Sequence, residues 1–223
     1  MTYVFQFGIV LDQFHRMVEG ALLTVQLAFG ALVLGLAVAT ACAYALATGP
    51  LFLRVPVRAY VELIRNTPLL IQLYVIFFAL PGLGLRLDAN HAALAAMVIN
   101  FGAYATEILR AGVQSIPAGQ IEAGRALNLS RLQIYRFIVL FPAVKAVFPA
   151  LASQFVLLLL GSSVVSAISA SELTAISNTL QSTTFRAFEV YIVATAMYLA
   201  IAVAFRGMFA AIYWVVFVRG RER

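Results

Sequence analysis

Residues 20–53 read GALLTVQLAFGALVLGLAVATACAYALATGPLFL, a run without a single charged side chain. A helix crosses the hydrocarbon core of a bilayer with about 20 apolar residues, so the run is long enough to span before Gly49-Pro50 interrupts it. Residues 146–171 form a second uncharged run apart from the run's flanks. Working outward, three further stretches are apolar but carry ionisable groups: 60–80 with Glu62 and Arg65, 91–113 with Glu107 and Arg110, and 189–217 with Arg206. Runs this continuous, rich in Ala and Leu, exclude a membrane barrel, whose strands alternate apolar and polar residues over about ten positions.

The fold expected is therefore all-α, a polytopic membrane protein with five transmembrane helices at 18–47, 60–80, 91–113, 146–170 and 189–217, forming a single transmembrane domain over 1–223. Composition agrees: 63% of residues are hydrophobic, 11% are charged, and the mean hydropathy is +0.97, whereas soluble domains carry about a quarter charged residues. Arg54 and Arg58 fall between the first two helices, Arg125, Arg131, Arg136 and Lys145 between the third and fourth, and Arg219, Arg221 and Arg223 at the end. Against them stand Arg16, Arg86 and Arg186 on the other side. The positive-inside rule then puts the N-terminus outside and the C-terminus in the cytoplasm. The net charge of +6 reflects this topology, and no folded basic domain exists to bind nucleic acid.

Residues 1–19 contain Asp12 and Glu19 and lack a basic start before an apolar core, so they read as an amphipathic lead-in at the membrane surface rather than a cleavable signal. Residues 171–188, rich in Ser and Thr, are too hydrophilic to span and are expected as a short outer-surface segment. Cys42 is the sole cysteine, which excludes a disulfide within the chain and a cysteine metal site. His15 and His91 have no partners at ligand spacing, so no metal is expected. In the first helix Ala31, Gly35, Ala39, Ala43 and Ala47 place a small residue every four positions, a row that lets another helix approach closely in lipid.

One segment departs from this apolar background. Residues 114–142 carry Glu122, Arg125, Arg131 and Arg136 and need water or a protein partner. Pro117 suits the first turn of a helix over 118–127. Asn128 suits the left-handed residue that ends it. Ser130-Arg131-Leu132-Gln133 has the capping-box pattern that opens a second helix. The island reads as helix, tight turn, helix.

The run Ser115-Ile116-Pro117-Ala118-Gly119-Gln120-Ile121-Glu122-Ala123-Gly124-Arg125-Ala126-Leu127-Asn128-Leu129-Ser130 resembles the EAA loop of ABC importer permease subunits of the polar amino-acid transport family, the histidine, glutamine and arginine type. Arg65-Asn66-Thr67-Pro68-Leu69-Leu70-Ile71-Gln72 is similar to that family's arginine–glycine–threonine–proline segment. Asn100-Phe101-Gly102-Ala103-Tyr104-Ala105-Thr106-Glu107 resembles its third-helix signature, and Phe185-Arg186-Ala187-Phe188-Glu189 the sequence before its last helix. The resemblance covers most of 18–223, in the family's order.

What the resemblance implies is a type I ABC importer membrane domain in the bacterial inner membrane. Its partners would be two cytoplasmic ATP-binding subunits, a second permease subunit, identical or paralogous, and an external solute-binding protein that delivers an amino-acid substrate. The chain would hold no cofactor of its own; ATP and Mg would be bound by the partner ATPase. The EAA loop would be the coupling helix, with Glu122, Ala123, Gly124, Arg125 and Asn128 as its coupling residues and Glu122 making the polar contact. Three departures from the family are visible: Gly124 replaces its second alanine, Asn128 its turn glycine, and Phe141-Pro142 displaces its closing proline by one position.

Ionisable groups inside membrane helices cost about 2.5–3.5 kcal/mol at the bilayer centre on insertion scales and usually face a cavity or one another. Asn100, Tyr104 and Glu107 lie on one helical face by their i, i+4, i+7 spacing, and Ser162, Ser166 and Ser169 repeat it. These faces, with Gln72 and Ser163, are the candidate lining of a translocation path. Arg65 and Glu107 are equally candidates for a structural ion pair. Where family members carry lysine–aspartate–threonine–serine in the fourth helix, this chain has Leu160-Gly161-Ser162-Ser163, which removes the carboxylate a cationic substrate would need there.

An intramembrane enzyme would need a nucleophile and base at membrane depth, and neither histidine lies there. The chain has no Gly-x-x-x-x-Gly-Lys-Ser/Thr loop, and its one lysine is Lys145, so it does not hydrolyse ATP itself. A self-sufficient channel or secondary transporter is the alternative, opposed by the polar island and by the lack of an internal repeat.

Overall fold

The computed structural model describes residues 3–219; Arg221 and Arg223, invoked above for orientation, lie outside them. Short helix α1 (Phe7–Asp12) is followed at once by α2 (Phe14–Thr48), so the first span begins within the segment expected to lie on the surface. Helix α3 (Leu51–Arg65) turns into α4 (Leu69–Tyr74), which continues through a π-helical turn (Val75–Ala79) and a 3-10 turn (Leu80–Leu83). Asp88 then caps α5 (Ala89–Gln114), accepting hydrogen bonds from the Asn90 and His91 amides.

The polar island holds α6 (Ala118–Ala126) and α7 (Arg131–Gln133). From α7 the chain stays helical through a π stretch (Ile134–Leu140), α8 (Phe141–Gly161) and a 3-10 stretch (Ser162–Ile168). Helix α9 (Leu173–Thr184) and the last long helix, α10 (Ala187–Tyr213), ending in a π turn (Trp214–Val218), complete the fold. No strand occurs among the described residues.

Four helical runs are long and apolar enough to cross a membrane, Phe14–Thr48, Ala89–Gln114, Arg131–Ile168 and Ala187–Val218. The pair Leu51–Arg65 and Leu69–Leu83, bent by 113°, makes a fifth span if counted as one. The expected continuous helix over 60–80 is thus broken, and the reason is local. Pro68 lacks the N–H that would bond the Ile64 carbonyl and disfavours helical geometry at Thr67.

The fourth span, expected from 146, begins at Arg131 instead, and Lys145 lies inside it rather than in a loop. Its Nζ donates to the Phe217 carbonyl at 3.3 Å. Pro142 does not stop this helix because the widened π turns before it relieve the hydrogen bond that Pro142 cannot donate.

Helix α5 is the centre of the bundle. Ala92, Ala96, Met97, Phe101 and Ala105 are buried, and the small-residue row of α2 packs against them. A methyl on Gly35 would come 2.8 Å from Phe101 Cδ1 and 3.4 Å from the Gly102 nitrogen. Ala31, Gly35 and Ala39 are buried in this contact, whereas Ala43 and Ala47 border a cavity. A second apolar cluster joins Met17 of α2 to Leu173 and Leu180 of α9 and to Val190 of α10. The segment 171–188 is therefore a helix with one face packed into the bundle. A period of 3.6, running Leu173, Ser177, Leu180, hides in its polar composition.

Candidate functional site

The hairpin of α6 and α7 is built as its sequence predicts, with one shift: Pro117 precedes the helix as its cap residue instead of occupying the first turn. Asn128 adopts φ 58. The Asn128 amide bonds the Arg125 carbonyl at 2.9 Å and the Leu129 amide bonds the Gly124 carbonyl at 3.1 Å, the paired bonds that close a helix C-terminus around a left-handed residue. Ser130 and Gln133 exchange both capping-box bonds.

The coupling candidates do not share one environment. Glu122, Ala123, Arg125 and Asn128 are exposed, while Gly124 is buried against the second arm. A methyl on Gly124 would meet Ile138 Cδ1 at 2.5 Å and Ile134 Cγ1 at 3.2 Å. Gly124 lets the two arms touch, and Glu122 is left facing solvent with no ion-pair partner among the described residues. Leu127, at the end of the first arm, and Leu132, at the start of the second, are both exposed.

Gln72 and Asn100 are only 8% exposed each. Gln72 Nε2 donates to the Ile64 carbonyl at 2.8 Å and to the Thr67 carbonyl at 3.0 Å, and Asn100 Nδ2 donates to Gln72 Oε1 at 3.0 Å. The Ile64 carbonyl is the acceptor that Pro68 leaves without a backbone donor. The glutamine side chain replaces the missing N–H, and the asparagine holds the glutamine in place. Both amides are thus engaged within the chain at the bend.

Glu107 and Arg65 approach to 3.8 Å, but Arg110 is the nearer partner, its Nη2 2.6 Å from Oε2 and its Nε 3.1 and 3.2 Å from the two oxygens. The i, i+3 spacing of Glu107 and Arg110 signals this pair in the sequence. Arg65 also lies 5.5 Å from the centre of the Tyr104 ring, and Tyr104 Oη donates to the Arg65 carbonyl at 3.4 Å.

The serines lie in 3-10 geometry, where three residues complete a turn and the i, i+4 positions no longer share a face. Ser162, buried, donates to the Leu159 carbonyl at 2.7 Å; Ser163 donates to Leu160 and Ser166 to Ser163. Ser169 adopts φ 63 and ends the stretch.

Two buried carboxylates escaped the sequence reading. Glu172, 0% exposed, caps α9 through the Ala175 amide and accepts hydrogen bonds from Tyr198 Oη at 2.6 Å and Thr24 Oγ1 at 3.3 Å. Burial pushes its pKa above the ordinary glutamate value, against the opposing pull of these hydrogen bonds. Glu189, also 0% exposed, accepts from Tyr3 Oη at 2.5 Å and from the Gln6 amide at 2.9 Å, which straps the N-terminal segment to α10. The Tyr3 phenol is pushed up chiefly by that hydrogen bond. Ser171-Glu172-Leu173, an acidic residue at a helix start, hinted at the first; the second has local marks, its place in the first turn of α10 and its i, i+3 spacing from Arg186 at 3.9 Å, but none that signals burial. Among the described residues no three His, Cys, Asp or Glu side chains are placed to hold a metal ion.

A bundle of membrane-crossing helices with one broken span and a rigid polar hairpin at one end defines a polytopic permease subunit. The chain belongs to the family described as the binding-protein-dependent transport system inner membrane component, which matches residues 31–213. The octopine transport system permease protein of Rhizobium meliloti is 34% identical over 212 residues, covering 91% of this chain and 86% of that protein. The glutamine transport system permease protein of Escherichia coli strain K12 is 32% identical over 199 residues, covering 88% and 91%. A solved amino acid ABC transporter crystallised with histidines superposes with a TM-score of 0.90 at 30% identity, over 96% of this chain and 100% of that one. An inward-facing methionine ABC transporter shares the fold, with a TM-score of 0.75 at 20% identity, over 90% and 96%.

Proposed function

We propose that the chain is one permease subunit of an ATP-driven ABC importer of the bacterial inner membrane, carrying a polar amino acid delivered by an external solute-binding protein. Two cytoplasmic subunits bind and hydrolyse ATP with Mg, and a second permease, identical or paralogous, completes the path. The N-terminus lies outside and the hairpin of α6 and α7 lies in the cytoplasm. The observation that carries this reading is the hairpin itself: it exposes Glu122 and Ala123 on its first arm and Leu127 and Leu132 around its turn, on arms joined by Gly124, Asn128 and Ser130. A short rigid element of this kind transmits rigid-body movement between packed bodies.

The translocation path runs along Tyr104, Ser163 and Ser166, half-buried side chains of the third and fourth spans. Gln72, Asn100 and Ser162 form its scaffold, and Glu107 with Arg65 and Arg110 forms a structural ion cluster beside it. The lack of an acidic residue in Leu160-Gly161-Ser162-Ser163 supports an importer whose selectivity resides in the binding protein or the second permease.

In the reconstituted complex, Glu122→Lys is expected to abolish stimulation of ATP hydrolysis by loaded binding protein while the subunit still inserts. Wild-type stimulation in that variant rules out the coupling role. Amino-acid uptake by the chain alone, without any ATPase, would establish the self-sufficient transporter instead.

A further inference from the structure

A half-open cavity of about 990 Å³ lies at the hairpin end of the bundle, between the last turns of α2 and α5, helix α3 and the first turns of the fourth span. Its lining has two characters. Leu46, Val61, Leu109, Val113, Val144 and Val147 form apolar walls, and Arg58, Arg65, Arg110 and Arg131 line it with charge. Four arginines face two glutamates there, Glu62 and Glu107. Glu107 is already engaged by Arg110 and Arg65. Arg58 and Arg131, on different walls, have no carboxylate within 4.0 Å among the described residues, so the cavity keeps an excess of positive charge.

Helix α3 explains where that charge sits. Arg54, Arg58, Glu62 and Arg65 follow one another at i, i+4, i+8 and i+11 and share a face. Away from that face Phe52, Leu53 and Leu63 are exposed. An amphipathic helix of this pattern lies at the boundary between acyl chains and headgroups, which sets the inward-facing arginines at phosphate depth.

We propose that this cavity is a binding site for an anionic phospholipid, its phosphate between Arg58 and Arg131 and an acyl chain along Val113, Val144 and Val147. A free amino acid or inorganic anion has no use for the apolar wall, and a zwitterionic lipid does not answer the surplus charge. Basic pockets between membrane helices recognise anionic headgroups by this combination. The site is independent of ATP and of the transported molecule, so its test stands apart from that of the importer function.

The full chain, purified and delipidated in detergent, is titrated with dioleoyl phosphatidylglycerol and followed by native mass spectrometry. Phosphatidylglycerol is expected to bind in preference to phosphatidylcholine. Each arginine near a headgroup is worth about fivefold in affinity, so Arg58→Gln with Arg131→Gln should weaken binding about thirtyfold. Arg86→Gln and Arg219→Gln, which remove charge outside the cavity, should leave it unchanged. Val144→Trp, which fills the cavity without altering charge, should also remove the bound lipid and guards against a double variant that fails to fold. Undiminished binding in the double variant or in Val144→Trp, equal binding of phosphatidylcholine, or displacement of the lipid by inorganic phosphate overturns the proposal.

Discussion

Replacing Gln72 with leucine removes the only side-chain donor that satisfies the Ile64 and Thr67 carbonyls together. A buried acceptor left without a partner costs about 1–3 kcal/mol. The Ile64 carbonyl keeps only the long 3.5 Å bond from Thr67 Oγ1; two acceptors at about 2–6 kcal/mol together, less about 1.5–2 kcal/mol regained by burying leucine, leave a net loss centred on about 2 kcal/mol within a range of about 0–4.5 kcal/mol. Asn100→Ala loses one interhelical hydrogen bond, and such bonds within membranes average about 0.6 kcal/mol. The two substitutions share a partner, so their effects are non-additive: once Gln72 is gone, Asn100→Ala should change little.

The measurement is denaturant unfolding of the purified single and double variants in mixed micelles, followed by circular dichroism, with uptake assayed in proteoliposomes of the whole complex. A Gln72→Leu protein as stable as wild type but altered in substrate preference refutes the reasoning, because it would mean that the amide faces the transported molecule and that the bend holds without it.

Gly124→Ala should be tolerated at about 1 kcal/mol, since the Ile138 methyl it meets at 2.5 Å is the far end of a flexible side chain. Gly124→Val should cost about 1–3 kcal/mol by overpacking and lower ATPase coupling; melting curves and stimulated hydrolysis separate the two. For Glu172 the folded pKa is raised, so the folded chain holds the proton longer than the unfolded one. Stability is then greatest below the ordinary glutamate pKa and falls as pH rises through the raised value. Glu172→Gln keeps one oxygen to accept from the Ala175 amide and turns an N–H donor toward Tyr198 Oη, which can accept it; it cannot ionise and should flatten that portion of the pH–stability curve, and an unchanged slope in the variant contradicts the assignment.

The contrast between what sequence conveyed and what it withheld follows from the range of the interactions involved. The spans over 20–53 and 146–171 were legible because burial in lipid acts on every residue of a run. Asn128, Ser130 and Gln133 were legible because turns and caps are made by neighbours. The 113° bend at Thr67-Pro68 was not, although Pro68 was in view, because Arg65-Asn66-Thr67-Pro68 is a polar interruption too short to end an apolar stretch, and only the structure shows Gln72 serving the carbonyl that the proline abandons. Glu172 fell in a stretch expected at the outer surface and Glu189 at the first residue of a span, and neither place signals burial. Their burial depends on Thr24, 148 residues away, and Tyr3, 186 residues away, separations that no local pattern reports. The shared serine face was not realised for a related reason: i, i+4 spacing places Ser162 and Ser166 together only on an α-helix, and the chain winds tighter there.

The second arm of the hairpin and the fourth span are one helical run, Arg131–Ile168, of 38 residues. At 1.5 Å per residue it is roughly 55 Å long, a rod that reaches from the polar hairpin to the left-handed Ser169 at the foot of α9. Helical geometry continues through the π stretch and past Pro142 and Pro149, so the run has no loop in which a push could be lost, and any bend falls at those points. A tilt of about 3° at the hairpin swings the far end by roughly 3 Å, more than a hydrogen-bond length. The first joint it meets is the short connection into α9, where the buried Glu172 ties that helix to its neighbours. On the coupling role proposed for the hairpin, a movement there would reach the start of α9 through this single helical run.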